Sequence, residues 1–145
     1  DINIKSSVLN SCEVTPGDVP NLIDELPILF IASCFAEGTS SFTDIAELKH
    51  KESDRLKAMQ DGIDKMKIKN FLDGNVFCIE GMGKDYKSPN FLAETYYDHR
   101  IAMSFAIAGL KSNSCIEIAS PESINTSFPE FVELGKKLGC NFEIS

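Results

Sequence analysis

The sequence predicts an α/β (α+β) fold built from two copies of one helix–strand–helix–strand unit. Two long apolar runs each begin after charged residues and stop at a glycine, as buried helices do. Each run is followed by a short strand-like segment. Asp98 also follows Asp24 by 74 positions, and Ile116 follows Phe42 by the same number. A constant offset between equivalent features indicates an internal repeat.

The first apolar run extends from Leu26 to Ala36, after Asp24 and Glu25 and before Gly38. A helix that is apolar all round is expected to be buried on every side, with polar residues only at its start. The sequence therefore predicts a buried helix here.

The rest of the first unit is predicted from strand-like and amphipathic patterns. A strand over residues 39–45 is followed by an amphipathic helix, roughly Glu52 to Met66. Residues 67–72 and 75–81 are strand-like and flank Asp-Gly, which favours a hairpin. Residues 1–17 are expected to supply the opening strands.

The second unit repeats this order. Its buried helix begins near Asp98 and stops at Gly109. The other predicted elements are a strand, an amphipathic helix and a last strand: residues 114–120, Phe128–Leu138 and 140–145.

Charge and composition exclude several classes of function. The chain of 145 residues has 14 basic and 22 acidic residues and a net charge of −8, which disfavours binding to nucleic acid or to an anionic membrane. The longest apolar run is too short to cross a bilayer. The five cysteines include no CxxC pair, which indicates a reducing cytoplasm and no metal site.

The repeat has a consequence for the polar residues. If the two units pack alike, the starts of both buried helices lie at one end of the domain, where free N–H groups bind anions. Asp24, His99 and Arg100 would line that surface, and the segment HKESDR, His50–Arg55, would join it.

These residue types suit the chemistry of a small anion. Arg55 and Arg100 can hold phosphate or carboxylate oxygens with two hydrogen bonds each. Asp24 and Glu52 can move protons, and Lys51 can hold a hydroxyl or a charge. Lys51 and Arg55 are four residues apart, so a helix through them would place like charges on one face.

Each motif also has a purely structural interpretation. Ser53 or Asp54 would cap the amphipathic helix, and Asp98 would cap the second buried helix. In the segment DELP, residues 24–27, an N-cap would stand before the helix, with Pro27 near the first turn. Charge spacing alone leaves these interpretations open.

Four stretches together resemble one family in their order and spacing: PNLIDELPILFIASCFAEGTS, ELKHKESDRLKAM, YYDHRIAMSFAIAGL and SFPEFVELGKKLG. They are similar to the C-terminal portion of the 5-enolpyruvylshikimate-3-phosphate synthase family, also called 3-phosphoshikimate 1-carboxyvinyltransferase. The combination of KESDR with DHRIAM is the most specific part of the resemblance, which covers essentially the whole chain.

The resemblance implies a fold of two halves, each with three βαβαββ units around buried parallel helices, known as an inside-out α/β barrel. This chain would be a partial C-terminal domain, residues 1–145, with repeat units of about 1–82 and 83–145. Its partner would be the N-terminal portion of the same enzyme, across a cleft, and the full-length enzyme would be a monomer.

The implied reaction transfers the enolpyruvyl group of phosphoenolpyruvate to the 5-hydroxyl of shikimate 3-phosphate and releases phosphate, with no metal and no cofactor. The resemblance implies that Asp24 serves the 5-hydroxyl and contacts shikimate 3-phosphate, and that Glu52 handles the methylene proton. It assigns Lys51 to shikimate 3-phosphate, Arg55 and Arg100 to phosphoenolpyruvate, and His99 to the lining of the site.

Four positions depart from the family pattern and receive no role. Lys49 and His50 replace the arginine and valine that commonly precede KESDR, Thr126 stands where some members have a lysine, and Glu47 where some have an asparagine. Two other functions stay open: the related transferase that acts on UDP-N-acetylglucosamine, and a noncatalytic domain that binds small anions or acts as a scaffold. The motifs KESDR and DHR disfavour the first, and Asp24 and Glu52 beside the arginines disfavour the second.

Overall fold

A computed structural model of the chain describes residue 3 and residues 5–143. Within these residues the strands are β1 (Glu13–Val14), β2 (Glu37–Thr43), β3 (Asn70–Asp73), β4 (Val76–Met82), β5 (Phe91–Ala93) and β6 (Ile116–Ile118). The α-helices are α1 (Val19–Leu22), α2 (Leu26–Cys34), α3 (Arg55–Lys65), α4 (His99–Ser112) and α5 (Phe131–Lys137). Short 3₁₀ helices span Ala46–His50 and Pro121–Thr126.

The strands form two sheets, and their order confirms the α/β class. One sheet has the order β1-β2-β4-β3, in which β1 and β2 are parallel and β4 is antiparallel to both its neighbours. The other sheet is the parallel pair β5-β6. In each unit a buried helix, α2 or α4, connects the two parallel strands, as a β-α-β crossover requires.

The strand register shows the repeat directly. Phe42 of β2 pairs with Val14 of β1, and Ile116 of β6 pairs with Phe91 of β5. The two residues that the 74-residue offset relates therefore occupy equivalent places, each in the strand that follows its buried helix. The expected repeat is confirmed at this level.

The predicted hairpin is also present, between β3 and β4. Asp73 pairs with Val76 across a two-residue loop of Gly74 and Asn75. Gly74 has φ +60°, a left-handed conformation that glycine adopts without the strain of a side chain.

The expectation for the chain start is only partly met. The structure has a two-residue strand there, with an isolated bridge from Asn10 to Glu37. Val8 and Leu9 are 47% and 40% exposed, so they have little packing to hold an extended strand against the domain. Residues 1, 2 and 4 of the predicted segment lie outside the described residues.

The expected last strand is wrong for residues 140–143, which form neither helix nor strand, and residues 144 and 145 lie outside the described residues. In the first unit the equivalent strand, β3, is held by β4. Residues 140–143 have no strand paired with them in the described part of the chain. The helix predicted before it is shorter than expected, and α5 has no buried residue.

Both units contribute to one hydrophobic core. Phe30 of α2 packs edge-to-face on Phe42 and Phe77, with ring centroids 4.7 and 5.1 Å apart. Phe105 of α4 belongs to the same core, and so does Cys34, where burial raises the thiol pKa to about 12. The three helices α2, α3 and α4 pack against one another on this core.

The expectation that both apolar helices are buried on every side is wrong for α4. A stripe at helical spacing, Met103, Ala106, Ile107 and Leu110, is only partly covered, and Ile107 is 37% exposed. The neighbours of α4 include α2, α3, β5, β6 and the second 3₁₀ helix, and they cover only part of its circumference. Ile28 of α2 is similarly open, at 38%.

Gly62 lets α3 approach α4, and we expect Gly62→Ala to destabilise the chain by about 1–3 kcal/mol through overpacking. An added Cβ would lie 1.9 Å from Cζ of the buried Phe105. This outweighs the gain of about 1 kcal/mol in helix propensity. Urea denaturation measures the loss. Gly17→Ala is the control, because a Cβ added there would lie 3.8 Å from Thr15 Oγ1, an ordinary contact distance. Equal stability of Gly62→Ala and the wild type would contradict this packing.

Candidate active site

Three helix starts meet at one end of the domain, as the repeat predicts. Arg55 begins α3 and His99 begins α4, while Glu25 stands directly before α2. Two of the starts have side-chain caps: Asp54 accepts from the Lys57 N–H at 3.0 Å, and Asp98 accepts from the Arg100 N–H at 2.9 Å. The structural interpretations of Asp54 and Asp98 are therefore confirmed.

Residues 51–54, between the 3₁₀ helix and α3, are not helical, which corrects the sequence prediction. The helix begins at Arg55 and not at Glu52, and Lys51 ends the 3₁₀ helix in an extended conformation. Lys51 and Arg55 are thus not neighbours on one helix face. The bend between them allows both Lys51 and Arg55 to contact Asp24, and it allows Glu52 to pair with Arg55.

Arg55 is the centre of the cluster. Its side chain is fully buried, and it donates three hydrogen bonds to three carboxylates. Nε donates to Asp98 Oδ2 at 2.7 Å, Nη1 to Asp24 Oδ1 at 2.9 Å and Nη2 to Glu52 Oε2 at 2.5 Å. Burial lowers the pKa of Arg55, but Asp98, Glu52 and Asp24 together raise it by more.

Asp24 is shared between two cations. Lys51 Nζ lies 3.4 Å from Asp24 Oδ1 and 3.2 Å from Glu47 Oε1. Burial raises the pKa of the Asp24 carboxyl, but hydrogen bonds from Arg55 and Lys51 lower it by more, so its pKa lies below the usual value. Glu47, with Asp24, raises the pKa of Lys51. Asp24 is therefore ionised at neutral pH in this arrangement.

Arg100 ties the start of α4 to the start of α2. Its Nη1 donates to the Asp24 carbonyl at 2.7 Å and to Glu25 Oε2 at 2.6 Å. The Arg100 side chain is about one-third exposed, and Glu25 is more than half exposed. Arg100 therefore belongs to the same cluster as Arg55 but lies nearer to solvent.

The two histidines differ in position. His99 is the half-buried first residue of α4, beside the two residues that join the cluster, Asp98 and Arg100. His50 is exposed at the end of the 3₁₀ helix. The structure thus brings the predicted residues Asp24, Glu52 and Arg55 into direct contact and puts His99 at the edge of the cluster.

Sequence reasoning gave no site role to four members of the cluster: Glu25, Glu47, Ser53 and Asp98. Ser53 Oγ donates to Asp98 Oδ2 at 3.1 Å, and Glu25 and Glu47 pair with Arg100 and Lys51. The repeat contains a signal for Asp98, because it stands at the position of Asp24 in the second unit, and both carboxylates bind Arg55. The other three carry no comparable signal.

The expected anion-binding surface is, in this structure, a cluster of paired charges. Its cations Lys51, Arg55 and Arg100 face five carboxylates: Asp24, Glu25, Glu47, Glu52 and Asp98. The crowding of positive charge in the segment HKESDR is therefore balanced by acidic residues from three helix starts, and no cation of this cluster is left to face solvent alone.

Two properties of the described residues bear on other kinds of site. No group of three or more histidine, cysteine, aspartate or glutamate side chains among them is arranged to hold a metal ion. None of the helices described is both long enough and apolar enough to span a bilayer.

Comparison with known proteins identifies the family. The family model described as EPSP synthase (3-phosphoshikimate 1-carboxyvinyltransferase) matches residues 1–134. The chain belongs to the EPSP synthase family. The motifs KESDR and DHR lie within the matched residues, in agreement with the resemblance seen in the sequence.

Relatives of this family are similar over nearly the whole chain. The 3-phosphoshikimate 1-carboxyvinyltransferase of Ruthia magnifica is 42% identical, with 99% of this chain and 33% of the relative covered. That of Zymomonas mobilis is 43% identical, with 99% and 32% covered. The chain therefore spans about a third of the length of the curated relatives it matches.

Solved structures agree on the fold. An EPSP synthase from Acinetobacter baumannii superposes with a TM-score of 0.87 at 40% identity, over 95% of this chain and 32% of that one. The enolpyruvyl transferase NikO from Streptomyces tendae superposes with a TM-score of 0.66 at 17% identity, over 94% and 30%. The second likeness concerns the fold alone, which is part of the inside-out α/β barrel of enolpyruvyl transferases.

Proposed function

We propose that this chain forms one wall of the active site of an EPSP synthase. The enzyme would transfer the enolpyruvyl group of phosphoenolpyruvate to shikimate 3-phosphate in the cytoplasm, for aromatic amino acid biosynthesis. The observation that carries the proposal is the single cluster in which Arg55 holds both Asp24 and Glu52, with Arg100 adjacent. Family membership supplies the reaction.

Substrate binding would exchange partners on the arginines. Arg55 is fully buried beneath Asp24 and Glu52, whose side chains are 45% and 55% exposed. A phosphate or carboxylate can replace one of these on the guanidinium, because it offers the same acceptor oxygens. Arg100, joined to the half-exposed Glu25, would take a second anionic group in the same way.

The exchange would also prepare the carboxylates for proton transfer. Asp24 has a lowered pKa while Arg55 and Lys51 bind it. Loss of such hydrogen bonds raises a carboxylate pKa and makes it a better base. An anion that replaces Asp24 on Arg55 would therefore make this carboxylate a better base when the substrates are bound.

The proposed steps assign one proton to each carboxylate. In the addition, Asp24 takes the proton of the 5-hydroxyl as the hydroxyl oxygen bonds to phosphoenolpyruvate. Protonated Glu52 gives a proton to the methylene carbon. In the elimination, the C–O bond to phosphate breaks, the departing phosphate takes the proton held by Asp24, and Glu52 takes back a methyl proton as the C=C bond forms again. Lys51, between Asp24 and Glu47, would bind shikimate 3-phosphate, and His99 would line the site.

The opposite wall would come from the N-terminal portion of the same monomeric enzyme. An active site needs both walls, because orientation and water exclusion supply much of the rate. The cluster described here lies at the surface of the chain, with half-exposed carboxylates on its open side. The chain alone is therefore expected to be inactive.

A noncatalytic anion-binding or scaffold domain is the second candidate. The saturation of Arg55 by three carboxylates favours it, since buried ion networks also serve purely structural roles. Such a domain has no need to transfer protons. It would bind anions without turnover, even when the full-length protein is assayed.

Turnover of the full-length protein separates the two candidates. We expect phosphate release that requires both phosphoenolpyruvate and shikimate 3-phosphate, and none from the 145-residue chain.

Arg100→Lys keeps the charge but loses the planar fork, so the KM for phosphoenolpyruvate should rise roughly tenfold or more. Lys111→Arg, at the far end of α4, is the matched control. Absence of turnover from the full-length protein would leave only the scaffold candidate.

A further inference from the structure

Asp98 has an environment unlike that of the other carboxylates of the cluster. Its side chain is fully buried, whereas Asp24, Glu25 and Glu52 are about half exposed. A buried carboxylate stays only where its hydrogen bonds and a counter-charge offset the loss of water. Asp98 has both, so it is a permanent partner of Arg55, while the exposed carboxylates can be exchanged.

Three parts of the cluster converge on the two oxygens of Asp98. Oδ1 accepts from the Arg100 N–H at 2.9 Å. Oδ2 accepts from Arg55 Nε at 2.7 Å and from Ser53 Oγ at 3.1 Å. One carboxylate thus joins the start of α4, the side chain that begins α3 and the loop that carries Glu52.

Asp98 and the half-exposed carboxylates bind different nitrogens of Arg55. Asp98 binds Nε, while Nη1 and Nη2 point to the half-exposed carboxylates Asp24 and Glu52. A guanidinium that is held at Nε keeps its plane fixed when its other partners leave. We propose that Asp98 is a positioning residue, which fixes Arg55 through Nε so that both Nη atoms stay directed at the open side of the cluster.

Only the effect of Asp98 on substrate binding rests on the proposed function. Its effect on the position of Arg55 can be tested on the 145-residue chain. The sequence contains two arginines, Arg55 and Arg100, so the NMR spectrum of arginine Nε–H groups in the 145-residue chain has two signals to assign. We expect slow exchange of the Arg55 Nε–H with water in the wild type. Asp98→Asn removes the charge and leaves one acceptor oxygen for donors that now use both oxygens. It should accelerate the exchange about tenfold or more, the equivalent of losing one hydrogen bond to a charged group.

Asp54→Asn is the matched control, because Asp54 caps α3 as Asp98 caps α4 but is not among the carboxylates that accept from the Arg55 side chain. It should leave the exchange unchanged. Asp24→Asn should also leave the Nε–H protected, because Asp24 binds Nη1. Equal exchange in Asp98→Asn and Asp54→Asn would overturn the proposal. If Asp98→Asn fails to fold, rapid exchange of the wild-type Arg55 Nε–H, as fast as that of Arg100, would overturn it by itself.

The consequence for substrate is measured on the full-length protein. Asp98→Asn should raise the KM for phosphoenolpyruvate about tenfold or more and leave the KM for shikimate 3-phosphate within about twofold, because a misdirected guanidinium loses one hydrogen bond to the anion. Equal increases of both KM values would overturn the positioning role. Absence of turnover in the wild type would instead overturn the proposed function, and the exchange experiment would still decide the role of Asp98.

Discussion

Arg55→Ala is expected to lower the free energy of unfolding of the chain by about 3–5 kcal/mol, the usual cost of leaving one member of a buried ion pair without its partner. Asp98 is fully buried and would lose the donor at 2.7 Å that balances its charge. The bonds from Ser53 and the Arg100 N–H do not replace that positive side chain. Urea denaturation of the 145-residue chain measures the loss.

Lys57→Ala is the control for this measurement. Lys57 lies on the same helix and pairs with Asp61 at 3.0 Å, but both side chains are exposed, so the loss should be about 0–1 kcal/mol. Combining Arg55→Met with Asp98→Asn should recover much of the stability, because no buried charge is then left alone. A loss at Arg55 no greater than at Lys57 would show that the network contributes little to stability.

Asp24→Asn and Glu52→Gln are expected to lower kcat of the full-length enzyme by roughly 10²–10⁴-fold each, the usual contribution of a general acid or base. Both changes keep the size and one acceptor oxygen of the side chain, so Arg55 retains a partner at each Nη atom. What they remove is the ability to take or give a proton. Phosphate release at saturating concentrations of both substrates measures kcat.

Asp61→Asn provides the comparison, since it removes an exposed carboxylate of α3 that pairs only with Lys57 among the contacts described. Its kcat should match that of the wild type. Near-wild-type turnover in both Asp24→Asn and Glu52→Gln would remove these carboxylates from the mechanism, whatever the effect of Arg100→Lys on KM. A loss in only one of them would assign proton transfer to that residue alone.

Much of the fold could be predicted because it depends on local pattern. The apolar runs gave α2 and α4, and the Asp-Gly between strand-like runs gave the hairpin of β3 and β4. The predictions failed where a long-range partner decides the structure. Residues 140–143 have a strand-like composition but nothing described beside them to pair with, and α4 is apolar all round but only partly covered.

The candidate site was predictable in part of its membership but not in its arrangement. Asp24, Glu52, Arg55 and Arg100 were identified from their residue types and from the family motifs, and the structure brings them together. The helical interpretation of the segment from Lys51 to Arg55 was wrong, because a 3₁₀ helix and a bend precede α3. That bend was not visible in charge spacing, which assumes one continuous helix.

The sequence by itself determined the repeat and the class of fold, since each depends on spacing within a short segment or on a constant offset. The resemblance of its motifs to the family named the residues proposed to carry the chemistry. Only the tertiary structure decided which carboxylate binds which nitrogen of Arg55. Asp24, Glu52 and Asp98 come from three separate segments, and the packing of α2, α3 and α4 sets the distances between them. Burial then separates Asp98, which water does not reach, from Asp24 and Glu52, which it does.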